Sequence, residues 1–133
     1  MEIQSTKNNL KIQRIMKEFW KKKTNFTKVK AVSIEPIWFY LEDGEIIGFI
    51  NGSISDYGNW KSAEITNLEI KKDFQKKGYG KDLINKFINY CKEKQVLNIN
   101  LRVEKDNLIA KKTYENFSFK EDKTGLNMNL KLN

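Results

Sequence analysis

The stretch Leu68-Glu-Ile-Lys-Lys-Asp-Phe-Gln-Lys-Lys-Gly-Tyr-Gly-Lys-Asp-Leu-Ile84 decides how this chain folds. Its residue pattern is that of a strand end, a glycine-containing loop and the first turn of an amphipathic helix. Gly78 and Gly80 carry no side chain, so the backbone can approach a ligand closely there. Backbone N–H groups converge in such a loop, and the helix behind it adds partial positive charge. The stretch therefore predicts a site for an anion such as a phosphate or pyrophosphate.

Composition predicts one ordinary domain over residues 1–133, with 39% hydrophobic and 32% charged residues. No apolar run approaches the roughly 20 residues that span a bilayer, and the N-terminus lacks a signal-peptide pattern. The single cysteine, Cys91, cannot form an internal disulfide, which fits a reducing cytoplasm. The chain has no histidine, which excludes imidazole-based catalytic triads and most zinc sites, so we expect no metal.

The net charge of +8 raises the question of nucleic-acid binding. The lysines, however, are spread over the whole chain instead of forming one basic patch. A ligand with several phosphates accounts for part of the same charge. We therefore expect neither a nucleic acid nor a membrane as the main partner.

The N-terminal half shows a helical apolar period, then a hairpin signal at Asp43-Gly44 between two apolar runs. The Thr24–Glu35 segment has no clear period and is predicted to be irregular, with room for a short helix. The predicted elements are a strand at Glu2–Ser5, a helix at Asn9–Lys23, strands at Ile37–Leu41 and Ile46–Ser55, and a strand at Lys61–Ile70.

The C-terminal half alternates between helical and strand patterns. A strand, a helix and a strand in this order form a crossover, so the strands that flank the first helix should be parallel. We predict a mixed α/β sheet of six to seven strands flanked by about four helices. The elements are a helix from Gly78 to Lys94, a strand at Asn98–Val103, a helix from Asp106 or Asn107 to Phe117, and a terminal hairpin of Phe119–Asp122 with Leu126–Leu132.

The hexapeptide Gln75-Lys-Lys-Gly-Tyr-Gly80 matches neither of the two common nucleotide-binding loops. The dinucleotide fingerprint needs a third glycine where Leu83 stands, and the P-loop needs a Gly-Lys-Ser/Thr that is absent. A second motif, Asn107-Leu-Ile-Ala-Lys-Lys-Thr-Tyr114, follows the next predicted strand.

Together these motifs resemble those of the GNAT superfamily of acyl-CoA-dependent N-acetyltransferases. The family pattern is Q/R-x-x-G-x-G/A followed, one strand later, by N-x-x-A-x-x-x-Y, and the match runs from about Glu64 to Phe119. The resemblance implies a GNAT-like fold and an enzyme. It also implies acetyl transfer from acetyl-CoA, as cosubstrate, to a primary amine by direct attack in a ternary complex.

The resemblance also implies how the donor is held. Backbone N–H groups from Gln75 to Lys81 would bind the pyrophosphate, and the main chain at Leu68–Ile70 would pair with the pantetheine arm. Asn107 would steady that arm, with a plain helix cap as the alternative. The implied coenzyme-binding residues are Leu68, Glu69, Ile70, Gln75, Lys76, Lys77, Gly78, Tyr79, Gly80, Lys81, Asn107 and Tyr114.

Tyr114 is, by this resemblance, the general acid for the leaving thiolate. Free thiols have a pKa of about 8.5 and phenols of about 10, so a tyrosine can donate or share a proton where a phenylalanine cannot. The alternative is a core tyrosine on the buried face of its helix.

The incoming amine needs a base, since alkylammonium groups have a pKa of about 10.4 and are protonated at neutral pH. Glu64, fourteen residues before Gly78 (78 − 64), resembles the glutamate base of the histone acetyltransferase branch. Glu69 is the second candidate, because a charge inside a central strand needs a reason such as a cleft. Simple alternation puts the two on opposite faces, unless a bulge interrupts the strand.

Two positions depart from the family pattern, and several questions stay open. Lys72 replaces a common proline, and Ser118 replaces the glycine after the tyrosine helix, so that helix end should be capped differently. Cys91 falls on an apolar helix face, which argues against an acyl-enzyme. The rival function is a catalytically silent module of the same fold that binds acyl-CoA or docks on RNA or ribosomes. The acceptor amine and the choice between monomer and homodimer remain open.

Overall fold

A hairpin through Gly44 joins the two longest strands of the molecule. The structure is a computed structural model that describes residues 1–20 and 33–132, with Trp20 described by its backbone alone. Gly44 has φ of +74°, a left-handed conformation that suits glycine, and Asp43 pairs with Glu45 across it. The predicted antiparallel hairpin is therefore confirmed.

The described residues form a seven-stranded mixed sheet, which confirms the predicted fold class. Its strand order is β1-β2-β3-β4-β5-β7-β6, with β4 and β5 parallel as predicted. The described ranges contain three α-helices and one 3₁₀ turn. The elements are β1 (Gln4–Ser5), α1 (Asn9–Trp20), β2 (Ser33–Asp43), β3 (Glu45–Asp56), β4 (Lys61–Ile70), the 3₁₀ turn (Lys72–Phe74), α2 (Tyr79–Glu93), β5 (Asn98–Arg102), α3 (Leu108–Glu115), β6 (Lys120–Glu121) and β7 (Asn127–Lys131).

The prediction of an irregular Thr24–Glu35 segment was wrong for its last three residues. Strand β2 already begins at Ser33, which pairs with Asp56 of β3. Pairing to a long neighbouring strand supplies backbone hydrogen bonds that the sequence period of so short a piece does not reveal. Residues 24–32 of that segment, and residues 21–23 of the predicted helix, lie outside the described residues.

The larger core lies between the sheet and the pair α2 and α3. Helix α2 buries the five side chains that its sequence period predicts, at about 1.5–3 kcal/mol for each large one. Helix α1 covers the opposite face with a smaller cluster that includes Trp38, Tyr40 and Phe49. The five α2 side chains are Leu83, Ile84, Phe87, Ile88 and Cys91.

A bulge in β4 changes which of its side chains share a face. Asn51 pairs with Asn67 and Gly52 with Ile65, so Thr66 is an extra residue on β4. Beyond the bulge Leu68 packs on the same core as Ile65.

This bulge overturns simple alternation for the two glutamates. Glu64 pairs with Ser53 and Glu69 with Phe49, and Ser53 and Phe49 lie on the same face of β3 because their numbers differ by an even count. Phe49 belongs to the α1 cluster. Glu64 and Glu69 therefore share the α1 face of the sheet.

Ser118 ends α3 in the geometry that a glycine would adopt. Its φ is +73°, its N–H donates to Glu115 O at 2.9 Å, and Phe119 N–H donates to Tyr114 O at 3.2 Å. These two bonds are those of a Schellman motif. The expectation of a different cap was wrong, because serine takes up the strained conformation itself.

None of the helices in residues 1–20 and 33–132 is long and apolar enough to cross a bilayer.

Candidate active site

A cleft opens where β4 and β5 diverge. Their parallel pairing runs only from Ser62 and Asn98 to Ile65 and Leu101. Beyond it, residues 67–70 of β4 pair with β3 on one side, and residues 67–69 border a cleft of about 430 Å³ on the other. An extended polar chain can pair with the backbone edge of a strand as an added strand.

Tyr114 lines this cleft from α3, although only 7% of its surface is exposed. Its ring packs edge-on against Phe119 at 5.4 Å between centroids. Its hydroxyl makes no hydrogen bond with any residue in the described ranges. Burial raises the pKa of Tyr114 above its ordinary value, so the phenol is protonated at neutral pH. Tyr114 is thus both a core residue and a cleft residue.

Asn107 also combines the two roles that the sequence left open. Its Oδ1 accepts a hydrogen bond from Ala110 N–H at 3.1 Å and so caps α3. The same residue lines the cleft. Within the described part of the chain its Nδ2 has no hydrogen-bond acceptor, so this N–H pair can be offered to a ligand.

The glycine-containing loop crosses from the end of β4 to the start of α2. Gln75 folds back and donates from Nε2 to Ile70 O at 2.9 Å, and Lys76 takes a φ of +63°. In the described structure no side chain caps the first turn of α2. The N–H groups of that turn therefore keep their capacity to bind an anion. The exposed lysines around them are Lys76, Lys77 and Lys81.

The two loop glycines have different roles. Gly78 has φ of +87°, so its need for glycine is conformational. Gly80 is helical, and a Cβ placed there would lie 4.0 Å from both Leu68 Cδ2 and Ile70 Cγ1, which is ordinary contact. The protein itself has room for a side chain at Gly80. A side chain at Gly80 would therefore obstruct only a bound ligand and not the protein's own packing.

The two candidate bases lie on one face but at different distances from the cleft wall. Glu69 lines the cleft and is half-buried. Glu64 is exposed, lies opposite Asn100 of β5, and makes no ion pair or hydrogen bond with residues 1–20 or 33–132. Either carboxylate can attract an ammonium group, and only Glu69 forms part of the wall.

Asn67 and Arg102 are among the cleft residues that the sequence analysis did not name as site residues. The strand pattern could have indicated the orientation of Arg102, because this residue alternates with the apolar residues Leu101 and Val103, which are buried. The pattern gives no such indication for Asn67, since its orientation depends on the β4 bulge.

The cysteine and several aromatic residues lie outside this cleft. Cys91 is fully buried, and burial, with a smaller contribution from Glu35, raises the pKa of its thiol to about 12, so it cannot serve as a nucleophile. Trp38 and Tyr40 are buried under α1. Tyr57 and Trp60 stack on each other, exposed, in the β3–β4 loop.

Comparison with solved structures gives the same architecture. The PaiA N-acetyltransferase of Thermoplasma acidophilum, in complex with coenzyme A, is 26% identical, with a TM-score of 0.59 over 74% of this chain. This chain covers 61% of that protein, or about three fifths of its length.

Two further structures are under 25% identical and show the fold alone. An Arabidopsis thaliana protein bound to the bisubstrate analogue CoA-Ac-MVNAL is 14% identical, with a TM-score of 0.72 over 99% of this chain and 100% of that chain. A ribosomal-protein alanine N-acetyltransferase of Escherichia coli is 17% identical, with a TM-score of 0.70 over 98% of this chain and 92% of that one.

The family model described as the acetyltransferase (GNAT) family matches residues 10–119, which is most of the sequence. The match includes the glycine loop, both diverging strands and the helix that carries Asn107 and Tyr114. This chain therefore belongs to the GNAT acetyltransferase family.

Proposed function

We propose that this protein transfers the acetyl group of acetyl-CoA to a primary amine by direct attack in a ternary complex. One observation carries the proposal: the cleft between β4 and β5 collects Tyr114, Asn107 and Glu69 on its walls. Membership of an acetyltransferase family and a relative crystallised with coenzyme A support acetyl-CoA as the donor.

The donor site has the groups that coenzyme A requires. The uncapped first turn of α2 and its lysines suit the pyrophosphate, since both present positive charge to an anion. The backbone edge at Leu68–Ile70 suits the amide groups of the pantetheine arm, although Gln75 Nε2 already occupies the Ile70 carbonyl. Asn107 Nδ2 adds a donor beside that edge. We assign donor binding to Leu68, Glu69, Ile70, Gln75, Lys76, Lys77, Gly78, Tyr79, Gly80, Lys81, Asn107 and Tyr114.

Tyr114 would act on the leaving thiolate. Because burial holds the pKa of this phenol above that of a thiol, complete proton transfer to sulfur is uphill. Hydrogen-bond donation to the developing negative charge costs no such transfer and is stronger in a cleft of low dielectric constant. We therefore propose that Tyr114 shares its proton with the sulfur.

The two glutamates would have different roles toward the amine. Glu69 on the wall attracts the ammonium group, whereas exposed Glu64 takes the proton through water and returns it to solvent. The acceptor is proposed to be a primary amine on a small molecule or a protein.

One paired experiment tests the proposal against the silent binding module. Thermal unfolding with added coenzyme A reports donor binding, and thiol release from acetyl-CoA against a mixed amine panel reports turnover. We expect coenzyme A to stabilise the protein and at least one amine to release thiol. Stabilisation without thiol release for any amine would favour a silent acyl-CoA module. No effect of coenzyme A would reject the acetyltransferase and leave the RNA-docking module.

The Gly80→Ala variant should separate folding from donor binding. Alanine is the better helix former by up to about 1 kcal/mol, and its Cβ meets only ordinary contacts, so stability should hold or rise. The same methyl group lies beside the pyrophosphate site, so the coenzyme A Kd should rise by roughly 10-fold, about 1.4 kcal/mol. Calorimetric titration and urea unfolding measure the two effects.

Asn89→Ala is the matched control for Gly80→Ala. Asn89 is exposed on the same helix, away from the loop, so alanine improves helix propensity there without approaching the donor. Equal coenzyme A affinity in the two variants would show that Gly80 has no role in donor binding.

The Glu64→Gln and Glu69→Gln variants should affect different kinetic constants. Glutamine keeps the shape and removes the charge. We expect Glu64→Gln to lower kcat by about 10²-fold, the low end for a lost general base, with little change in the amine KM. We expect Glu69→Gln to raise the amine KM. Steady-state kinetics measure both constants. A higher amine KM in Glu64→Gln together with a lower kcat in Glu69→Gln would exchange the two roles.

A further inference from the structure

Arg102 on the β5 wall of the cleft carries a positive charge that the described protein does not neutralise. The side chain is exposed, and it forms no ion pair or hydrogen bond with residues 1–20 or 33–132. Its cross-strand neighbour Asn127 is bound to Asp122 at 3.2 Å, and Asp122 also accepts from Thr124. The Asp122 carboxylate is thus engaged in its own turn, and Glu104, which follows on the same wall, forms no ion pair with Arg102.

On the face away from α3, β4 carries two carboxylates and β5 carries the Arg102 guanidinium, with the exposed Glu104 carboxylate beyond Arg102 on the cleft wall. Leu101 and Val103 are buried in the core that holds Tyr114, so Arg102 between them lies on the opposite face of the sheet. Glu64 and Glu69 of β4 lie on that same face, as the bulge requires. A molecule that approaches the thioester from this face meets carboxylates on one strand and a guanidinium on the other.

We infer that the acceptor is a primary amine that also carries a carboxylate, held by Arg102. This inference rests on the proposed function, since it describes the acceptor side of the same cleft. The ammonium group is drawn to the glutamates. The planar guanidinium matches a carboxylate with two parallel hydrogen bonds. The acceptor is therefore an amino acid or a peptide whose first residue is acidic.

The charge of the whole chain agrees with this acceptor. A net charge of +8 repels polycations and raises the local concentration of anions. Polyamines and polyamine-like antibiotics would meet both that field and the Arg102 guanidinium. An amine that also carries a carboxylate is repelled neither by the positive field of the chain nor by the Arg102 guanidinium.

Matched amines test the inference. The probes are free glutamate against its dicarboxamide, and a tripeptide amide that begins with glutamate against the same peptide beginning with glutamine. We expect kcat/KM for thiol release to be about 10-fold or more higher for the carboxylate-bearing member, as for one charge-assisted pair of about 1.4 kcal/mol or more. Whichever pair shows the higher rates identifies the source as free amino acid or peptide.

Arg102→Gln should erase this preference while leaving the acetyl-CoA KM unchanged. Arg102→Lys keeps the positive charge but lacks the planar guanidinium that can make two parallel hydrogen bonds. This variant should retain part of the preference for the carboxylate-bearing amine. Lys131→Gln, the same charge change at an exposed position of β7 that does not line the cleft, should retain all of it. A wild-type preference for the carboxylate-free amines, or an unchanged preference in Arg102→Gln, would overturn the inference.

A binding measurement keeps this test separate from that of the proposed function. Calorimetric titration of the same probes into protein saturated with coenzyme A needs no turnover. If no amine releases thiol, the proposed function fails. Tighter binding of the carboxylate-bearing probe, lost in Arg102→Gln, would still support the inference, and equal binding of both probes would contradict it.

Discussion

The Tyr114→Phe variant is expected to turn over about 10²-fold more slowly than the wild type, the low end for a lost general acid or hydrogen-bond donor. The hydroxyl is the only group removed, and it lies on the cleft wall without a hydrogen bond to the described residues. The ring contact with Phe119 remains. Single-turnover thiol release is the proper measurement, because slow product release can hide the chemical step.

Stability and donor binding are the controls for this variant. Because no hydrogen bond to the described residues is lost and the ring stays buried, the urea midpoint should not fall. Coenzyme A affinity should also stay close to that of the wild type. Unchanged turnover would remove Tyr114 from the mechanism, and a large loss of stability would contradict the structural reading of its hydroxyl.

The second large effect is expected at Gly52, on β3 beside the bulge. A Cβ there would lie 1.9 Å from Glu64 O and 2.9 Å from Phe87 Cζ. The first atom is backbone and cannot rotate away, so β3 and β4 must separate. We expect Gly52→Ala to lose about 3 kcal/mol of unfolding free energy, the upper part of the range for overpacking. Urea unfolding measures the loss.

Gly80→Ala is the matched control for Gly52→Ala. Both variants add one methyl group at a glycine with a negative or unstrained φ, but the contacts at Gly80 are 4.0 Å. The unfolding free energy should therefore fall at Gly52 and hold at Gly80. Equal stability of the two variants would show that the backbone near the bulge can move to accept a Cβ at Gly52 at little cost. Folded Gly52→Ala protein should also lose activity, since the strain displaces Glu64.

The elements that form the proposed donor site could be predicted closely from the sequence, because they are local. A strand end, a loop and a helix start lie within seventeen consecutive residues (84 − 68 + 1), and their order fixes where backbone N–H groups point. Asn107 and Tyr114 lie in one short helix, seven residues apart (114 − 107), so their spacing fixes their common face.

The acceptor side could not be predicted in the same way, since it depends on strand register. Alternation put Glu64 and Glu69 on opposite faces, and one extra residue at Thr66 placed them together. Arg102 faces them only because β5 pairs in parallel with β4 for four residues and then diverges. Ser118 likewise adopts a conformation that glycine statistics would not assign to it.

The sequence by itself determined the fold family, the glycine-containing loop and the helix that Asn107 caps and that carries Tyr114, because these follow from local periodicity and from motifs at fixed spacing. The tertiary structure alone decided which carboxylates and which guanidinium share one face of the sheet beside the cleft. Those side chains lie on different strands, and only hydrogen-bond register between strands, with its bulge and its divergence, sets the face that each one occupies.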